Sequence, residues 1–124
     1  MKETILVIGA FYGASAVMLG AFGAHAFKKI LSEERLSSFE TGVRYQMYHA
    51  LLLLVIGLLA HTDSGNYDKV AWCVIIGTAL FSFSIYFLSF KDYWKINLRF
   101  LGPVTPIGGL FLVAGWVLLL LKFI

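Results

Sequence analysis

The sequence has little of what a soluble protein needs. Only 14% of its 124 residues are charged, it contains two prolines, and Cys73 is its single cysteine. A lone cysteine excludes an intrachain disulfide. Soluble domains carry about 25% charged residues, so this chain lacks the charged surface that would cover an apolar core. A soluble enzyme and a disordered tail are therefore poor interpretations.

Acidic residues are missing from four apolar stretches, at about 4–27, 42–60, 70–90 and 100–121. Of all residues, 60% are hydrophobic, and the mean hydropathy is +0.84. A transmembrane helix needs about 20 mostly apolar residues, and each stretch is long enough. Short connections make consecutive helices antiparallel. The sequence therefore predicts an all-α fold, a single integral membrane domain over residues 1–124 with an up-down-up-down four-helix bundle.

Near its end, the first stretch contains the tripeptide Ala24-His25-Ala26, whose two small outer residues resemble the cleavage site of a signal peptide. Its apolar run is longer than the roughly 7–15 residues of a signal peptide. We interpret it as a transmembrane helix that the protein keeps.

Lysine and arginine are distributed unequally between the two ends of the predicted bundle. Seven belong to the first and third loops, and three to the other end: Lys28, Lys29, Arg35, Arg44, Lys91, Lys95 and Arg99 against Lys2, Lys69 and Lys122. Since positively charged loops stay inside, loops one and three are predicted to be cytoplasmic. The basic residues form no recognition helix or groove, so we expect no nucleic-acid partner.

The first loop carries a helix signal of its own. Ser32 is a good N-cap, and the two glutamates after it favour the start of a helix. Leu36, Phe39 and Val43 follow at helical spacing. We predict a short amphipathic helix between spans one and two that lies on the membrane surface and leads into the second span.

Small residues recur every three or four positions on the first span, and a shorter set occurs on the last. Such faces let helix backbones approach closely in a membrane. We predict packing within the chain, with a homodimer face as the alternative, at Gly9, Gly13, Ala16, Gly20 and Gly23 and at Gly108, Gly109 and Gly115.

Two prolines open the last span. Pro103 is tolerated in a first helical turn, whereas Pro106 is expected to free the carbonyl of Gly102 and to kink or loosen the helix start. The hydroxyl of Thr105 is expected to bond to a freed carbonyl.

Polar residues concentrate in the halves of the spans nearest loops one and three: His25, Arg44, Tyr45, Gln46, Tyr48, His49, Ser82, Ser84, Tyr86, Ser89 and Thr105. Antiparallel connectivity brings these halves to one leaflet. All except Tyr86 and Ser89 are our candidates for a polar network or ligand site. Ionisable groups inside a span cost about 2.5–3.5 kcal/mol and usually face the bundle interior.

Four interpretations of this polar end stay open. The first is a hydrogen-bond network that holds the helices in register, and the second is a pocket for a lipid headgroup or a quinone. The third is a minimal small-molecule or proton transporter, which the missing acidic residues disfavour. The fourth is a bis-His haem site with His25 and His49 as ligands. A metal site is not expected because a third ligand at matching depth is missing, and neither serine nor Cys73 has the base that catalysis needs.

Four segments together resemble a known family, the membrane proteins of domain-of-unknown-function family 423, also called uncharacterised protein family 382. A eukaryotic branch of small transmembrane proteins is similar. The sequence departs from the family at Phe83, where glycine is usual, so no close helix contact is expected there. The matching segments are Gly20-Ala21-Phe22-Gly23-Ala24-His25, Thr41-Gly42-Val43-Arg44-Tyr45-Gln46-Met47-Tyr48-His49-Ala50, Phe81-Ser82-Phe83-Ser84-Ile85-Tyr86, and Val104-Thr105-Pro106-Ile107-Gly108-Gly109 with Gly115-Trp116.

The resemblance implies a four-span protein of the bacterial cytoplasmic membrane and supplies no reaction, substrate or cofactor. Combined with the residue patterns, it predicts a non-enzymatic accessory or lipid-interacting protein whose polar site lies near the cytoplasmic leaflet. Expected partners are membrane lipids, with a homodimer or another membrane protein as a further partner. No cofactor is expected, with haem or quinone as the alternative.

Overall fold

The computed structural model describes residues 1–63 and 65–124. Within these residues, four helices are long and apolar enough to cross a membrane: α1 (Lys2–His25), α2 (Glu33–Thr62), α3 (Asp68–Ser89) and α4 (Val104–Leu121). The loop between α1 and α2 contains the 3₁₀ turn Phe27–Lys29. The loop between α3 and α4 contains the one-turn helix Lys91–Trp94 and the 3₁₀ turn Arg99–Leu101. The predicted all-α membrane fold is confirmed.

The helix predicted after Ser32 is present and leads into the second span, but it is not a separate element, because α2 runs without a break from Glu33 to Thr62. The predicted cap is present, since the Ser32 hydroxyl accepts the backbone N–H of Arg35 at 3.2 Å. Phe39 is only 1% exposed and packs edge-on against Phe27 and Phe90. This aromatic packing holds the first turns of α2 in line with the rest of the helix.

The bundle consists of two helical hairpins joined through α2 and α3. In the apolar 18-residue stretch of each span, 44% of the stretch is buried in α2 and 50% in α3, but only 22% in α1 and in α4. α1 packs mainly on α2, and α4 mainly on α3, whereas α2 and α4 make few direct backbone approaches. The outer helices therefore expose broad apolar faces, as a bilayer permits.

The small-residue face of α1 lies against α2. A Cβ atom added at Gly9 would come within 3.2 Å of the Ala50 carbonyl oxygen, and one at Gly23 within 3.1 Å of the Phe39 ring. Gly13 and Gly20 have ordinary contacts with α2, and Ala16 is buried. This face is thus covered within the chain.

α4 approaches the backbone of α3 even more closely. A Cβ atom at Gly108 would lie 2.4 Å from the Phe81 nitrogen, and one at Gly115 would lie 2.9 Å from Val74. Gly109 sits beside this contact with more space, 3.9 Å from the Phe81 ring. Helix α3 widens at the same level into a π-helical turn, Ala79–Phe83, for which the sequence carries no local signal. Such turns insert one extra residue into a helix.

The start of α4 also differs from its prediction. Pro103 is the N-cap and Val104 the first helical residue, so Pro106 lies within the first turn. The Gly102 carbonyl that Pro106 leaves unbonded lies outside the helix, and first-turn N–H groups have no intrahelical partner in any case. The expected kink is therefore unnecessary.

Candidate functional site

Gln46 is fully buried on α2 and joins three helices. Its amide nitrogen donates to the carbonyl oxygen of Tyr12 at 2.8 Å and to the hydroxyl oxygen of Ser15 at 2.7 Å. Its amide oxygen accepts the hydroxyl of Tyr86 on α3 at 2.6 Å. The Ser15 hydroxyl in turn donates to the Phe11 carbonyl at 2.8 Å. All amide groups of Gln46 therefore have partners, as a buried side chain requires.

Two further hydrogen bonds tie α3 to the first two helices. The Tyr12 hydroxyl donates to the Ile75 carbonyl at 2.9 Å, and the Ser82 hydroxyl donates to the Gly42 carbonyl at 2.8 Å. The rings of Tyr12 and Phe83 meet edge-on at 6.2 Å between centroids. Side chains thus separate the α1 and α3 backbones at Phe83.

His49 links α2 to α4 and is 4% exposed. The indole N–H of Trp116 donates to Nε2 of His49 at 3.1 Å. Because an indole nitrogen only donates, Nε2 must be the accepting nitrogen and the ring proton sits on Nδ1. Nδ1 then donates to the Tyr45 carbonyl at 2.7 Å. Both nitrogens of a neutral His49 are therefore occupied by protein groups.

The start of α4 is joined to α3 by two hydroxyl groups. Ser84 donates its proton to the Phe81 carbonyl at 3.0 Å, so Thr105 is the donor in the 2.5 Å contact between the Ser84 and Thr105 hydroxyls. The predicted bond from Thr105 to a freed backbone carbonyl is therefore replaced by a bond between helices.

Four candidate residues from the sequence lie at the surface of the bundle: His25, Arg44, Tyr45 and Tyr48. Arg44 donates to the Thr41 hydroxyl at 3.1 Å, and the imidazole of His25 has no hydrogen-bond partner among the described residues. The ring of Tyr45 packs on that of Phe81, with 4.9 Å between centroids. The structure thus does not bring His25, Arg44 and Tyr48 into the interior beside Gln46 and His49. The bis-His arrangement gains no support from this geometry.

Three members of these hydrogen-bond networks were not singled out from the sequence, Tyr12, Ser15 and the half-exposed Trp116, and Tyr86 was placed at the polar end but not among the candidates. Ser15 had a usable signal, because it is the one serine of α1. The Tyr12 contribution to Gln46 is a backbone carbonyl, which has no signature in a sequence. Trp116 lies in the half of α4 away from the polar loops, so the division into polar and apolar halves excluded it.

An ion pair lies at the end of the bundle formed by the first and third loops. Nε of Arg35 donates to Oδ2 of Asp92 at 3.0 Å, joining α2 to the one-turn helix. The two terminal nitrogens of Arg35 and the second carboxylate oxygen of Asp92 have no partner among the described residues.

Arg35 lines two clefts. The first, here called the lateral cleft, has a volume of about 380 Å³ and lies between α2, α3 and the start of α4, lined by Arg35, Ser38, Ile85, Leu88, Ser89, Gly102, Thr105 and Pro106. The second, here called the loop cleft, has a volume of about 280 Å³ and is lined by Ile30, Leu31, Ser32, Arg35, Ser89, Asp92 and Tyr93. The clefts share Arg35 and Ser89, so they are neighbours on either side of these two residues.

Comparison with known proteins shows the family. The family model for a protein of unknown function, DUF423, matches residues 19–109. The UPF0382 membrane protein SH2409 of Staphylococcus haemolyticus is 40% identical over 120 residues, which cover 97% of this chain and 94% of that protein. The UPF0382 membrane protein YwdK of Bacillus subtilis is 36% identical over 119 residues, covering 94% and 93%.

No solved structure matches the chain significantly. The relatives are bacterial membrane proteins by name, and the four apolar helices fit a chain that crosses the membrane several times. The resemblance seen in the sequence is confirmed: the chain is a multi-pass membrane protein and belongs to the uncharacterised DUF423, or UPF0382, family.

Proposed function

We propose that this protein is a non-enzymatic accessory protein of the membrane that binds one phospholipid at the end of the bundle formed by its first and third loops. The supporting observation is the lateral cleft. Its wall is apolar at Ile85 and Leu88 and polar at Arg35 and Ser38. A phospholipid has the same division, because its acyl chains are apolar and its phosphate accepts charge-assisted hydrogen bonds from arginine.

The position of the cleft suits entry from the bilayer. α2 and α4 approach each other mainly through side chains, and the His49–Trp116 hydrogen bond joins them deeper in the membrane. A lipid would therefore enter between these helices, with its acyl chains toward the bilayer and its phosphate at Arg35.

The interior network supports this proposal over a transporter or a haem protein. The hydrogen-bonding groups of Gln46 and His49 are already occupied by other protein groups. A proton path or a haem ligand needs a side chain that is free to exchange partners. We therefore assign Gln46 and His49 to stability and the loop end of the bundle to binding.

The leaflet follows from charge. With seven basic residues belonging to loops one and three and three at the other end, we place Arg35 and Asp92 at the cytoplasmic leaflet.

Native mass spectrometry of the protein, released gently from its membrane, tests the proposal. We expect a phospholipid mass on the wild type, lost in Arg35→Gln and in Ser38→Phe, which fills the cleft while leaving Arg35 in place. Lys29→Gln is the matched control, because it removes one exposed positive charge at the same end without lining either cleft. A bare wild-type chain, equal lipid on all variants, or a haem or quinone mass would overturn the proposal.

A further inference from the structure

We infer that the loop cleft selects a zwitterionic phospholipid headgroup, one that carries a primary ammonium beside its phosphate. This inference rests on the proposed lipid site and names the class of lipid that the site takes.

The Arg35–Asp92 pair offers both charges that such a headgroup needs. The two side chains meet through a single contact of 3.0 Å, and they are 31% and 68% exposed. The terminal nitrogens of Arg35 are free to donate to a phosphate, and the second oxygen of Asp92 is free to accept from an ammonium. A headgroup with phosphate and ammonium a few atoms apart matches this pair of opposite charges.

The two clefts accommodate different parts of the lipid, which join at the phosphate. Arg35 lines both, so a phosphate bound to its guanidinium leaves the acyl chains in the lateral cleft, beside its apolar wall at Ile85 and Leu88. The headgroup then extends into the loop cleft, where Asp92 lies beside Ser32 and Tyr93. An ammonium group there has the Asp92 carboxylate as its acceptor, with Ser32 and Tyr93 as further lining residues.

The lining of the two clefts itself has no net positive charge. Among the described residues, the charged side chains that line them are one arginine and one aspartate, Arg35 and Asp92. The third-loop residues Lys91, Lys95 and Arg99 line neither cleft. The charged group that the loop cleft adds to Arg35 is the carboxylate of Asp92, which repels an anionic headgroup. A trimethylammonium headgroup is disfavoured for a different reason, because it has no N–H hydrogen to donate to the Asp92 carboxylate.

Competition between headgroups tests this inference on the full chain in detergent. Phosphatidylethanolamine, phosphatidylglycerol and phosphatidylcholine with identical acyl chains are added in equal amounts, and native mass spectrometry counts the bound species. We expect an ethanolamine preference of about fivefold over each competitor, the size of a partly exposed ion pair. Asp92→Asn should abolish the preference, and Glu40→Gln, the same charge change at the same end, should keep it.

A further variant separates selectivity from folding. Asp92→Glu keeps the carboxylate and should keep the preference, with all variants compared by circular dichroism and size-exclusion profile. Equal binding of the three lipids by the wild type, or an unchanged preference in Asp92→Asn, would overturn the headgroup assignment and leave the lipid site standing. Failure of the wild type to bind any of the lipids would overturn the proposed function itself.

Discussion

Trp116 donates its indole N–H to Nε2 of His49 at 3.1 Å, and in the described part of the chain this is the one hydrogen bond between α2 and α4. The rings meet edge-on, with 6.0 Å between centroids and 71° between planes. The backbones of α2 and α4 make few direct approaches. The His49–Trp116 pair therefore sets the distance between the two helices at a level deeper in the membrane than the lateral cleft.

Replacing Trp116 with phenylalanine removes this bond and keeps an aromatic ring. We expect a loss of about 0.6–1.7 kcal/mol in the free energy of unfolding, the range of hydrogen bonds between helices in membranes. Unfolding in mixed micelles, followed by circular dichroism, measures it. Trp72→Phe is the matched control, because Trp72 on α3 is 47% exposed, close to the 48% of Trp116, and it is not part of the bond between α2 and α4. Equal stability of the two variants would contradict the assigned role.

Gln46→Leu removes the cross-link of three helices and leaves the Tyr86 hydroxyl without its acceptor. A buried polar group left without a partner costs about 1–3 kcal/mol, so we expect a loss of that size. Combining Gln46→Leu with Tyr86→Phe should cost less than the sum of the two, since both remove the same bond. Additive losses would show that this bond is not formed. Tyr48→Phe, at a ring that is 54% exposed, should change little.

Two adjacent glycines of α4 provide a matched pair. A methyl group at Gly108 would lie 2.4 Å from the Phe81 nitrogen. Because this atom belongs to the backbone of α3, it cannot move aside as the end of a flexible side chain can. Gly108→Ala should therefore destabilise by at least about 1–3 kcal/mol through overpacking. Gly109→Ala, with its nearest contact at 3.9 Å, should be tolerated. The two unfolding curves check this, and a tolerated Gly108→Ala would disprove the close approach.

The spans were predictable because apolar length alone identifies them, and the Ser32 cap was predictable from local sequence. The π turn at Ala79–Phe83 was not, because it accompanies the contact of Gly108 with the backbone of Leu80 and Phe81. That contact joins segments far apart in the chain, so no local pattern of α3 reports it.

The site was predictable only in part. Gln46 and His49 were found because polar groups inside a span need partners. Arg44 and Tyr48 are four residues apart and share an exposed face of α2, away from Gln46 and His49. Helical spacing groups residues on one face, but it does not tell which face is buried. The Arg35–Asp92 pair escaped notice because it joins residues 57 positions apart that each lie outside the predicted spans.

The distribution of basic residues predicts that the third loop faces the cytoplasm. In a Cys73→Ser background, Ile96→Cys should be protected from an impermeant maleimide in intact cells, and Asn66→Cys in the second loop should be labelled. Both substitutions leave the count of lysine and arginine unchanged. The reverse labelling pattern would place Arg35 and Asp92 in the outer leaflet.

Photo-crosslinking to the bilayer tests the central claim most directly. Phospholipids with a photoreactive group near the glycerol are incorporated around the protein, and the adducts are mapped by mass spectrometry. A bound lipid predicts that adducts concentrate on the walls of the lateral cleft, at Ser38, Leu88 and Pro106. An even spread over exposed residues of the outer face of α1, such as Val7 and Phe11, would contradict a lipid site in this cleft.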